Sequence, residues 1–109
     1  MVEHTQRLGF GTVTLLAAIR DGRRFGFDLM DATGLTSGTV YPALDRLEDL
    51  GFVKSAWESD AVAHTDGRPA RRYFEITKAG RAALARALER YPMLASTVNA
   101  GGPGKSGKP

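Results

Sequence analysis

The 109-residue chain has no cysteine. That excludes disulfides, thiolate metal sites and a cysteine nucleophile. It has two histidines, His4 and His64, far apart and with no i, i+4 partner, so no metal site is expected. No apolar run approaches the roughly 18 residues that suggest a membrane span. The longest such stretch is Leu15 to Ile19. The N-terminus has no charged segment followed by an apolar run and a small-residue cleavage site, so no signal peptide is expected. Gly9-Phe10-Gly11 is too short for a phosphate-binding loop and follows no strand. Glu48 and Asp49 are neighbours on an expected helix, so they diverge and form no acid/base dyad. These absences predict a soluble, cytoplasmic, non-catalytic protein without cofactor.

What is present suits one domain. The hydrophobic fraction is 42% and the net charge is +3. The charge is unevenly placed. Thr36 to Asp60 carries two bases and five acids, whereas Ala61 to Pro109 carries nine bases and three acids. A basic second half points to a polyanionic partner, or else to a solvated cationic surface. There is no internal repeat. Gly101 to Pro109 holds only Gly, Pro, Lys and Ser, which predicts a disordered tail.

Periodicity predicts the elements. Thr12, Leu15, Leu16 and Ile19 mark a first helix over about Phe10 to Arg20, ended by Gly22. Arg23 to Phe25 reads as a brief extended link. A short second helix covers Gly26 to Thr33, burying Leu29 and Met30, and Gly34 ends it. A third helix starts near Thr36 or Ser37, either able to cap it. Its stripe is Val40, Leu44, Leu47 and Leu50, with Gly51 as the stop. Pro42 lies at the edge of what a helix start tolerates, so a local distortion is expected there. Phe52 to Glu58 and Arg71 to Ile76 are strand candidates. Ser59 to Ala70 between them reads as a long mobile hairpin tip. Thr77 caps a last helix, Lys78 to Tyr91, with Leu84, Leu88 and Tyr91 on one side. Pro92 interrupts it, and Met93 to Val98 either resumes as a short turn or frays. The fold class is therefore mainly α with a two-stranded wing: a winged helix-turn-helix plus a C-terminal helix. The expected division is an N-terminal extension over 1–9, the winged helix over 10–76, the C-terminal helix over 77–98 and a tail over 99–109.

Two features carry candidate chemistry. The face of the third helix opposite its apolar stripe holds small or neutral groups in its first half. Ser37, Thr39, Tyr41, Pro42 and Arg46 are the candidate DNA-contacting residues there. Hydroxyls and helix N-terminal N–H groups can bond phosphates or base edges. An ordinary solvated helix face would look similar. On the wing, Arg68, Arg71 and Arg72 fall within five residues, with Lys54 on the opposite strand. They suit a DNA backbone or minor groove. Alternatively they pair with nearby acids such as Glu58 or Asp66. Trp57 is expected to pack against the second strand and the last helix.

Several blocks in this order carry a resemblance. They are Gly26-Phe27-Asp28-Leu29, Thr33-Gly34-Leu35, Ser37-Gly38-Thr39-Val40-Tyr41-Pro42-Ala43-Leu44-Asp45-Arg46-Leu47-Glu48, Gly51-Phe52-Val53, Trp57-Glu58, Gly67-Arg68-Pro69, Arg71-Arg72-Tyr73-Phe74 and Thr77-Lys78-Ala79-Gly80. Over about Val13 to Leu84 the chain resembles the PadR family of transcriptional regulators. The resemblance implies a homodimer with cross-packed C-terminal helices, here through Leu84, Leu88 and Tyr91. It implies double-stranded DNA as partner, a pseudo-palindromic operator and, usually, repression. It also implies that Ser37, Thr39, Tyr41, Arg68, Arg71 and Arg72 approach DNA. Some members respond to small phenolic or drug-like effectors near the dimer interface. The C-terminal helix here is shorter than the pattern and broken by Pro92, and the wing tip is longer. The rival class is a winged-helix module that docks protein instead of DNA.

Overall fold

A computed structural model of the chain describes residues 8–94. The expected tail and most of the expected N-terminal extension lie outside the described residues. The elements run α1 Phe10–Arg20, α2 Gly26–Thr33, α3 Ser37–Asp49, β1 Val53–Trp57, α4 Asp60–Thr65, β2 Arg72–Ile76 and α5 Lys78–Arg90. The result is a mainly helical winged helix-turn-helix with one antiparallel strand pair. Among the described residues no helix is long and apolar enough to cross a membrane.

Helix α1 is the centre. Its residues Leu15 through Ile19 are consecutively buried, so it is covered on nearly every side and not along one stripe. Helices α2 and α5 and strand β2 all pack on it. Val40, Leu44 and Leu47 of α3 join the same core, as do Phe74 of β2 and Leu84 of α5. Helix α5 is thus part of the winged helix's own core. Leu8, within the expected extension, is also buried, and its carbonyl accepts a 2.7 Å hydrogen bond from Arg90. After Tyr91 the chain turns helical again over 92–94 and buries Leu94.

The turn between α2 and α3 is set by Gly34, whose φ of 76° is left-handed and accessible to glycine at little cost. The Arg23–Phe25 link is extended, as expected. It adds to the free edge of β2 through a Phe25–Tyr73 bridge and a 2.8 Å bond from Phe74 N–H to the Arg24 carbonyl. Strands β1 and β2 pair with Val53 opposite Ile76 and Trp57 opposite Arg72.

One expectation needs correction. Ser59 to Ala70 is not an unstructured tip. Ser59 caps the short helix α4 by accepting from Val62 N–H, and Ala63 is buried beneath it. A six-residue helix flanked by turn residues shows little periodicity, so composition alone reads as loop. As the stripe predicts, α3 runs on through Pro42, its sixth residue, to Asp49. The carbonyl that the proline deprives of a partner belongs to Gly38, which is exposed to water.

The base of the wing is locked to α5 at one junction. Thr77 caps α5, accepting from Gly80 N–H at 3.0 Å, and its hydroxyl donates to the Gly51 carbonyl at 2.6 Å. Its own N–H donates to the Phe52 carbonyl at 3.0 Å. Gly80 is buried there, and a Cβ at that position would land on the Phe52 carbonyl. Because the obstacle is backbone, Gly80→Ala is expected to lower stability by about 1–3 kcal/mol, the usual cost of overpacking. A fall in the urea midpoint with unchanged m-value is the expected reading. An unchanged midpoint would refute the close approach.

Candidate nucleic-acid interface

Helix α3 buries Val40, Leu44 and Leu47 and leaves Ser37, Gly38, Thr39, Tyr41, Pro42, Asp45 and Arg46 exposed. Thr36 occupies the cap position, but no side chain caps the helix. The Thr36 carbonyl accepts from Thr39 and Val40 N–H instead. The expected side-chain cap by Thr36 or Ser37 is therefore absent. The first N–H groups of α3 keep bonding capacity for an external acceptor. Tyr41 lies over Gly26, where the missing Cβ lets the phenol ring reach the start of α2.

The wing reaches α3 through hydrogen-bonded charge. Residues opposite one another in an antiparallel pair share a face. Ser55, Trp57, Arg72 and Phe74 therefore lie on the same face of the wing. Arg72 Nη2 donates to Glu48 of α3 at 2.6 Å and to Ser55 Oγ at 2.9 Å. Ser55 Oγ in turn donates to Glu48 at 2.8 Å. Helix, first strand and second strand meet at this triad.

A second node sits at the wing tip. Arg68 donates to both carboxylate oxygens of Glu58, at 2.5 and 3.1 Å, and to Asp66 at 2.9 Å. Arg71 donates its backbone N–H to Glu58 at 3.0 Å. Its guanidinium approaches the same carboxylate at 3.4 Å and lies 3.8 Å from the Phe25 ring centroid. The Arg68 hydrogen bonds, aided by those of Arg71 and opposed by desolvation, pull the Glu58 carboxyl down to about 2. All three wing arginines are thus engaged with acids of the chain itself, including the Glu58 and Asp66 pairing considered above.

Trp57 departs from expectation. It does not pack under β2 and α5 but is 67% exposed. It lines a cleft of about 410 Å³ between the start of α2, helix α3 and the wing. Phe25, Phe27, Tyr41 and Phe74 line it too, with Arg71 and Arg72. Tryptophan is more often buried than not. That preference misplaced it, because nothing local marks the wing as standing clear of α5. Glu48, Ser55 and Phe27 also belong to this face and were missed. Phe27 carried a signal: it follows Gly26 and precedes the buried Leu29, on the outer side of α2.

The residues expected at a dimer contact are partly used within the chain. Leu84 is buried in the core, while Leu88 and Tyr91 are partly buried against it. Tyr91 packs edge-on against Phe10, with centroids 5.4 Å apart. Among the described residues no group of three or more His, Cys, Asp or Glu side chains could hold a metal.

The family model described as "Transcriptional regulator PadR-like family" matches residues 15–86. The chain belongs to this family. Solved PadR structures share its fold at low identity. A PadR family transcription regulator from hypervirulent Clostridium difficile R20291 has 18% identity and a TM-score of 0.67, covering 84% of this chain and 97% of that one. A PadR-like transcription factor from bacteroid fragilis has 23% identity and a TM-score of 0.65, covering 91% and 96%. A PadR-like regulator from Bacillus cereus strain ATCC 14579 has 22% identity and a TM-score of 0.60, covering 82% and 87%. Comparison with curated proteins gives no match. As a PadR-like protein the chain is a transcriptional regulator, and the family is not one of enzymes.

The Glu58 node gives a pH prediction. Its carboxyl lies near 2 when folded, against 4.5 ordinarily. A depressed carboxyl contributes stability that is complete above its unfolded value and is lost as pH falls toward its folded one. Wing order, read through the neighbouring Trp57 emission, should hold at neutral pH and weaken progressively from about pH 4.5 toward 2. Glu58→Gln should remove that dependence. An identical acid profile in the variant would show that the node does not order the wing.

Proposed function

We propose that this PadR-like chain is a sequence-specific DNA-binding repressor acting as a homodimer on a pseudo-palindromic operator. The observation that carries the reading is convergence. Tyr41 of α3 and Arg71 and Arg72 of the wing line one cleft, so reading helix and cationic wing are presented together. In this reading α3 enters the major groove by its acid-free first half. Ser37, Thr39, Tyr41, Pro42 and Arg46 lie at or beside base edges and phosphates. The two α3 helices of a dimer sit about 34 Å apart, one turn of DNA. Arg68, Arg71 and Arg72 serve flanking phosphates, exchanging carboxylate partners for phosphate oxygens. Arg71 is the most exposed of them, with 46% of its side chain accessible. Dimer contact falls to Leu88 and Tyr91, with the exposed Phe10 and Met93, more than to Leu84. Bound at a promoter, the dimer blocks polymerase, and a small aromatic effector relieves it.

A mobility-shift assay with DNA from upstream of the protein's own gene tests this reading. Replacing Arg68, Arg71 and Arg72 with alanine should weaken binding. It should also flatten the salt dependence by roughly 0.9 log unit per lost phosphate contact. Arg71→Ala alone should remove about one such unit. Unchanged affinity and slope would refute the wing assignment. The rival reading, a protein-docking module, draws on the exposed Phe27 and Trp57, which are 75% and 67% accessible. It predicts no shift with any DNA.

A further inference from the structure

We infer that Glu58 is a built-in competitor of DNA phosphate: it holds Arg68 and Arg71 in the free protein, and DNA has to take them from it. Competition with DNA rests on the DNA-binding reading; competition with any other polyanion does not.

The wing tip offers a polyanion no net positive charge of its own. From Glu58 to Arg71 its two arginines stand against three acids, Glu58, Asp60 and Asp66. With His64 neutral the segment is a net anion, which by itself repels phosphate. Arg72, the next residue, is balanced by Glu48.

The two arginines are bonded as well as balanced. Glu58 receives Nη1 and Nη2 of Arg68, and the backbone N–H, Nε and Nη2 of Arg71. Its side chain is only 10% accessible, so water screens these bonds little. Arg68 spends on Glu58 a pair of N–H donors of the kind that phosphate takes bidentately. Phosphate and carboxylate therefore cannot both have that pair. Asp66 adds a 2.9 Å bond to Arg68 from an exposed position. Arg71 is held more loosely, by guanidinium bonds of 3.4 Å. It is the first to be released. The Arg68 and Arg71 bonds also keep Glu58 charged through the neutral range, with its carboxyl near 2. The competitor is thus present whenever DNA is.

Removing the competitor should tighten binding, whereas removing a merely structural support of the wing should weaken it. Wild type and Glu58→Gln would be compared by mobility shift over a salt series, with the upstream DNA and a scrambled duplex of equal length. Both would also be eluted from heparin with salt. Glutamine keeps the length and an oxygen for the Arg71 N–H but not the charge. Glu58→Gln is expected to bind the upstream DNA about tenfold tighter. Its salt dependence should steepen by about 0.9 log unit, the worth of one further phosphate contact. It should leave heparin at higher salt. Asp66→Asn, which frees part of Arg68, should move the same way by less. Asp60→Asn removes an equal charge from an exposed acid bonded to neither arginine, and should change little. In a protein carrying Arg68→Ala and Arg71→Ala, the gain from Glu58→Gln should vanish. Unchanged or weaker binding by a folded Glu58→Gln, an equal gain from Asp60→Asn, or a gain that survives without the two arginines would overturn the competition. Should Glu58→Gln not fold, Asp66→Asn decides, and no gain over Asp60→Asn overturns it. Later elution of Glu58→Gln from heparin, in a protein that shifts no DNA, would leave the competition standing and refute the repressor reading instead.

Discussion

The junction between α3 and the wing is a hydrogen-bonded ion pair between Arg72 of β2 and Glu48 of α3, with Ser55 of β1 bonded to both. Both charges are about one-third exposed, at 37% and 35% of their side chains. Exposed pairs contribute little to stability, roughly 0–1 kcal/mol. The contribution here is directional. A guanidinium has a planar fork of donors, so bonding a carboxylate and a hydroxyl together restricts orientation as well as distance. That restriction ties helix α3 to both strands of the wing at one point.

Glu58 does for the wing tip what Glu48 does for its base. Only 10% of its side chain is accessible, and it gathers Arg68, the Arg71 guanidinium and the Arg71 backbone N–H. Helix α4 lies between these partners in sequence, capped by Ser59 and closed beneath by Ala63. The tip is therefore an ordered insertion, held by charge where it is too small for a core of its own. The basic second half seen in the sequence is also less basic at the wing than it reads. Arg68, Arg71 and Arg72 face Glu58, Asp66 and Glu48. The field of the wing is softened by those partners.

Much of the fold was legible from the sequence. Helices over Phe10–Arg20 and Gly26–Thr33 appear with the expected bounds, and strands and last helix within a residue or two. Local rules suffice there: glycine stops, a threonine cap and apolar spacing act within one or two turns. The Val40–Leu44–Leu47 stripe orients α3, and that alone exposes Ser37, Thr39, Tyr41, Pro42 and Arg46. The blocks around α3 and the wing also carried the family, which the match over residues 15–86 establishes.

What the sequence by itself determined is thus the element order, the inward faces and the inventory of wing charges. Tertiary structure alone decided the partners. Arg72 and Glu48 are 24 positions apart, and Phe25 meets Arg71 across an even longer separation. No periodicity reports such pairings, because they depend on the angle at which the wing returns to α3. Trp57 shows the same limit, since its place in the open cleft depends on where α5 does not reach. Helix α4 was lost for a different reason: six residues are too few for a 3.6-residue period to stand out from turn composition.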